Sequence, residues 1–269
     1  MKKFLVPTII MGMAFTLFGF INQTKSTLPK INKNFLIHVH AFAGSDSTLK
    51  GLSTAKLESH ILAVNEAFAK IGVSFTICKT DTIYNKRYQK LDLTFNETAD
   101  LMKEMNLLYG VEDRINLYIV DTLGPVSSGI ASLEGINHLK HNTIGAIFIK
   151  QRADDRTYIH EMGHFFGLPH TFERDNGLEL ADGSNCETAG DGICDTPADP
   201  YEVDEPMSKW IDSLECRFIY KGKDANGDYY SPDLANYMSY YGSPCSCSRF
   251  TDGQYKAMVD NYNSGKIAW

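Results

Sequence analysis

The sequence predicts an α+β fold, a mixed sheet with helices packed on it, followed by an irregular disulfide-held region. Three observations point there. Over residues 35–77 the apolar period runs from two to 3.6 and back to two, a strand–helix–strand opening. A helical pattern over 154–166 stops at Gly167. Residues 171–235 then show little periodicity and are rich in Asp, Gly, Asn and Pro; so long a loop in a compact domain needs a function or other restraints.

Apolar and polar residues roughly alternate over 35–42, giving a first strand. Leu57, Ile61, Val64 and Phe68 then sit at helical spacing behind a cap at Ser53, and Gly72 ends that helix. A second strand covers 73–77. A short helix covers 97–108 and stops at Gly110, and Ile115, Leu117 and Ile119 mark a third strand. Two more strand-like pieces lie at 129–133 and 144–149. Near the end, Thr251-Asp252-Gly253-Gln254 reads as a capping box opening a helix with Tyr255, Met258, Val259 and Tyr262. His38 and His40 share one strand face, where they could bind a metal but read first as polar strand surface.

Residues 1–23 read as a secretory signal peptide: Lys2 and Lys3 precede an apolar run over 4–20, too short for a comfortable membrane span. Residues 24–34 are a linker or short pro-segment, and 35–269 form the remaining domain. The expected location is extracellular, with no membrane contact after signal cleavage. Six cysteines in an exported chain imply disulfides, whose pairing spacing alone does not fix. The net charge of −7 argues against nucleic acid as a partner.

The chemistry concentrates in His160-Glu161-Met162-Gly163-His164-Phe165-Phe166-Gly167-Leu168-Pro169-His170. Residues four apart share a helix face, so His160 and His164 can offer imidazole nitrogens to one zinc ion. Glu161 flanks the metal without needing to bind it. Gly167 lets the backbone leave the helix sharply and bring His170 round as a third ligand. Three neutral imidazoles leave a fourth position open to water, which Glu161 can deprotonate as general base.

This segment resembles the signature of the metzincin zinc peptidases. Downstream, Asn236-Tyr237-Met238-Ser239-Tyr240 is similar to the methionine turn under the metal in that clan. Gly190-Asp191-Gly192-Ile193-Cys194-Asp195-Thr196-Pro197 and Phe250-Thr251-Asp252-Gly253-Gln254 narrow the resemblance to the pappalysin family. The resemblance implies an upper lobe (35–167) with a twisted sheet, a lower lobe (168–269), and a cleft between them. It implies that the 129–133 piece is an edge strand pairing with extended protein or peptide substrates. It further implies Met238 under the metal, Tyr240 as a group that swings to or donates at the zinc, and Ca2+ at Asp191, Asp195 and Thr196. The disulfides it implies are Cys186–Cys216 and Cys194–Cys245, leaving Cys78 and Cys247 joined or free. Asp224-Ala225-Asn226-Gly227-Asp228 offers further oxygen ligands, but an Asx-rich turn is the alternative. Two departures stand out. Pro244 occupies the place where pappalysins preferring a basic residue after the cut carry an acid, and no cysteine precedes Phe35 to act as a latency switch.

The expected activity is therefore that of a secreted, monomeric zinc endopeptidase. The alternative is a non-catalytic module in which zinc only stabilises a protein-binding fold. Glu161 separates the two, because a structural zinc site has no use for a carboxylate there and normally has four protein ligands.

Overall fold

A computed structural model describes residues 27–43, 52–91, 95–124, 129–131, 145–242, 245–246 and 248–265. The expected signal segment, Leu133, Pro244 and Cys247 lie outside these. The elements are β1 (Lys33–Ala43), α1 (Thr54–Phe68), β2 (Val73–Tyr84), a one-turn α2 (Lys86–Gln89), β3 (Lys90–Leu91), α3 (Phe95–Tyr109), β4 (Ile115–Val120), β5 (Thr122–Leu123), β6 (Gly129–Ala131), β7 (Gly145–Lys150), α4 (Asp155–Phe165), β8 (Ile211–Asp212), β9 (Arg217–Phe218) and α5 (Asp252–Asn263). Strand order in the main sheet is β2-β1-β4-β7-β6. All pairs are parallel except β6 with β7, which places an antiparallel strand at one edge.

Strand parity splits the sheet into two faces. Phe35, Ile37, Val39 and Ala41 of β1 join Ile115, Leu117 and Ile119 of β4 and Ile147 and Ile149 of β7. That face is covered by Leu57, Ile61, Val64 and Phe68 of α1 and by Tyr158, Ile159, Met162 and Phe165 of α4. Ser53 caps α1 by accepting from the Lys56 N–H, as its position in the sequence suggests. On the other face Phe42, Tyr118, Val120 and Phe148 pack with Tyr88, Leu91 and Met105. Helix α5 begins with the expected capping box between Thr251 and Gln254. Although it lies far along the chain, its Tyr255, Met258 and Val259 complete the first core.

The region after Gly167 has a small aromatic core of its own, built on Phe172, Tyr201, Trp210, Ile211, Tyr241 and Cys245. Beyond the β8–β9 hairpin it is mostly turns. Its disulfides are Cys186–Cys194 and Cys216–Cys245, with Cα separations of 5.0 and 5.4 Å that suit a bridge. This corrects the pairs Cys186–Cys216 and Cys194–Cys245. Consecutive tight turns, Cys186 N–H to Gly183 O and Gly192 N–H to Ala189 O, fold the chain back so that Cys194 meets Cys186. Cys78 is free, and its thiol donates to Ile37 O.

Two further expectations change. β2 runs to Tyr84 rather than ending at Ile77, and its pairing with β1 shifts register between Ile37 and His38. His38 and His40 are buried, at 6% and 2% exposure, rather than forming polar surface. The Asp224 loop is an Asx turn: Oδ1 accepts from the N–H groups of Asn226 and Asp228, and Oδ2 from that of Ala181.

Candidate metal centre

Asp154 starts α4 by accepting from the Thr157 N–H and hydroxyl, which fixes the helix nearly three turns before His164. The helix ends in a Schellman arrangement, with Gly167 N–H on His164 O at 2.7 Å and Leu168 N–H on Gly163 O at 3.1 Å. Gly167 has φ +81°, and an added Cβ would lie 2.6 Å from Asn261 Nδ2. The same Asn261 amide donates to the carbonyls of Phe166 and Gly167. That left-handed residue turns the chain so that His170 faces the helix.

The three imidazoles converge. His170 Nε2 stands 3.3 Å from His160 Nε2 and 3.0 Å from His164 Nε2. The tautomers of the helical pair are set from outside: His160 Nδ1–H donates to Tyr237 O at 2.6 Å, and His164 Nδ1–H to Leu168 O at 2.7 Å. Both Nε2 atoms therefore present lone pairs, and His170 has at most one proton to share between them. A cation satisfies all three. Two nitrogens on one tetrahedral zinc stand about 3.3 Å apart, close to the spacing found. Burial holds His160 and His170 well below the usual imidazole range and His164 down to about 4, so neutral ligands are available at pH 7.

Glu161 is buried beside this cluster. Burial pushes its carboxyl up to about 8, opposed by a hydrogen bond from the Ala131 backbone in β6. Its Oε2 has no hydrogen-bond partner among the described residues. A divalent ion nearby offsets the cost of that buried charge. A Cβ at Gly129 would lie 2.5 Å from Glu161 Cγ, so the edge strand and the carboxylate share space only because residue 129 is glycine.

In the metal-free protein this shift has a definite sign. A carboxyl raised above its unfolded value stabilises the native state fully below about pH 4.5, and that contribution is lost as pH rises through about 8. Glu161→Gln does not titrate. In chelator, its melting temperature should pull ahead of wild type as pH rises from about 5 to about 8. A difference independent of pH would contradict this.

The turn around Met238 packs against α4. Met238 is fully buried, and a Cβ at Gly163 would lie 2.6 Å from its Sδ and 3.3 Å from Phe250. Asn236 holds the turn, accepting from Met238 N–H at 2.8 Å and exchanging amide hydrogen bonds with Gln254. Met238→Ala should destabilise by about 2–5 kcal/mol and Met238→Leu by less than about 1.5 kcal/mol in denaturant melts. Tyr240 stands with its ring centroid 4.8 Å from that of His170, and burial raises its hydroxyl pKa to about 12.

Asp199 also supports the site, though no motif in the sequence points to it. This buried carboxylate accepts from Thr171 Oγ1 and Tyr241 Oη at 2.7 Å each and from Tyr201 N–H at 3.1 Å. It thereby joins the residue after His170 to the residue after Tyr240. Only its apolar setting marks it out, and that is invisible in sequence.

Asp191 and Thr196 come together, the Thr196 hydroxyl standing 2.9 Å from both carboxylate oxygens. Asp195 does not join them: its oxygens accept from Thr251 Oγ1 and Gly253 N–H at the start of α5. Glu179 lies close enough for the Asp191 charge to act on it, its Oε2 2.6 Å from where a Cβ on Gly190 would stand. Burial pushes Glu179 and Asp191 each up to about 7, and Glu179 Oε1 has no partner among the described residues.

Residues 112–263 match the peptidase family described as pregnancy-associated plasma protein-A. The chain belongs to the pappalysin family. It is a zinc metalloendopeptidase, in keeping with that membership and with the three converging imidazoles. Among relatives of this pappalysin, an extracellular metalloprotease of Colletotrichum graminicola is 29% identical over 92% of the chain and 80% of its own length. One of Pyricularia oryzae is 25% identical over 85% and 76%. Mature mirolysin of Tannerella forsythia, solved with a cleaved peptide, shares the fold with a TM-score of 0.56 at 19% identity, over 86% of this chain and 92% of that one.

Proposed function

We propose that the protein is exported and cleaves internal peptide bonds of proteins, with His160, His164 and His170 holding the zinc and Glu161 moving the proton. The observation that carries this reading is the pair of carbonyl-fixed imidazoles facing His170, with a buried carboxyl beside them. When bound, zinc acidifies water and polarises the scissile carbonyl. Glu161 takes the proton of the attacking water and passes it to the leaving amine, its burial keeping its basicity near neutral. Tyr240, beside His170, donates its hydroxyl to the developing oxyanion. β6, at the sheet edge and against Glu161, aligns an extended substrate by strand addition.

Support for export comes from the apolar run over 4–20 and from relatives named extracellular. Among the described residues no helix is long and apolar enough to cross a membrane. Fragment analysis of a digested protein tests the endopeptidase reading. Internal cuts with new amino termini are expected, and release of terminal residues alone would overturn it.

Calcium belongs to the same proposal, at Glu179, Asp191 and Thr196, where two buried carboxyls with an unpartnered oxygen call for a hard cation. Calcium should raise the melting temperature of wild type by several degrees and that of Asp191→Asn by almost none. Equal responses would remove the site.

A further inference from the structure

β1 carries a second pair of histidines on the sheet face opposite α1 and α4. The rings of His38 and His40 stack at 4.4 Å and 7°, and the stack continues through Tyr118 and Phe148. Both are buried, yet beside them stands Asp81, whose Oδ2 lies 2.7 Å from His38 Nε2.

Asp81 reaches this face because of the register shift. Val73, Phe75 and Ile77 pair with Lys33, Phe35 and Ile37, but His38 pairs with Lys79, leaving Cys78 as an extra residue. That one residue flips the parity of β2. Without it Asp81 would share the face of Phe75 and Ile77; with it, Asp81 pairs with His40 and follows the histidines.

The donor chemistry is that of a metal site. A ring nitrogen of each histidine and a carboxylate oxygen of Asp81 all lie within 4.8 Å of one another. Asn116 Oδ1 accepts from the Val111 N–H while its amide donates to Val111 O, so its orientation is fixed. His40 Nε2–H must then donate to Oδ1, which leaves a lone pair on Nδ1. A ligand histidine characteristically has its other ring nitrogen held in this way. Burial lowers the His40 pKa, favouring the neutral ring.

We propose that His38, His40 and Asp81 form a second binding site for a divalent transition ion of the zinc class, separate from the catalytic centre and bracing β1 against β2. Imidazole and carboxylate donors select such ions over calcium or magnesium. On binding, the His38–Asp81 hydrogen bond opens from 2.7 Å to about 3.3 Å so that both groups share the ion. Asp81 is partly exposed and can move. Lys79 opposes the ion: its Nζ stands 3.0 Å from Asp81 Oδ1, on an exposed side chain free to swing away.

The test is calorimetric titration of the chelator-stripped whole chain with zinc alone, in excess calcium so that oxygen sites are filled. Two ions per wild-type chain are expected, and one in a His160→Ala/His164→Ala variant. Asp81→Asn, which removes a charged ligand oxygen, should weaken only one of the two events, by more than about 100-fold, and leave peptidase activity unchanged. Lys79→Gln should strengthen the same event. Lys79 is exposed, and Asn keeps the shape of the partly exposed Asp81 and can still bond His38, so neither variant threatens folding. One ion per wild-type chain, or two events that Asp81→Asn leaves unaltered, would overturn the proposal.

Discussion

Glu161→Gln is expected to keep its zinc and lose turnover by roughly 10²–10⁴-fold, the usual contribution of a positioned base. Glutamine has nearly the same shape, so the packing of residue 161 against Gly129 in β6 and the three imidazoles beside it are preserved. Only proton transfer is removed. The buried carboxyl has no partner for Oε2 among the described residues, so the variant leaves no structural hydrogen bond unmade at that atom. The check is kcat on a protein substrate together with zinc per chain. A large fall in KM-independent rate with full metal is predicted; near-normal kcat would remove Glu161 from the mechanism.

His170→Ala should have the second large effect, on metal affinity. Removing a group that orients a metal ligand costs about 10–100-fold in affinity, and loss of a ligand itself should exceed that. His170 is the one imidazole outside the helix, and its place depends on the φ +81° turn at Gly167. Gly167→Ala should therefore act in the same direction without touching a ligand, because an alanine there is strained and presses on Asn261. Zinc affinity measured by competition with a colorimetric chelator checks both. Unchanged affinity in His170→Ala would mean that two histidines suffice.

The legible parts were those in which local pattern and tertiary role agree. Ser53, Thr251 and Gln254 act as caps where the sequence places them, and the apolar faces of α1 and α5 enter one core. The imidazole cluster was legible for the same reason: a four-residue helical spacing and a glycine turn are local facts. What escaped depended on partners far along the chain. Tyr237 O orients His160 across 77 residues, and Asp199 bonds Tyr241 across 42. The extra residue at Cys78 reverses the parity of a strand, and no period-two count reveals where a bulge falls. The disulfide pairing is hidden from the sequence for a related reason. Resemblance supplied a pairing, whereas the local turns around Gly183 and Gly192 decide which sulfurs meet.

Cleavage of casein by the purified protein, followed through removal and return of zinc, tests most directly whether zinc and Glu161 together hydrolyse the peptide bond. A zinc-selective chelator should abolish activity, and stoichiometric zinc should restore it in wild type but not in Glu161→Gln. Cleavage that persists in metal-free protein, or that returns equally in the variant, would contradict that mechanism.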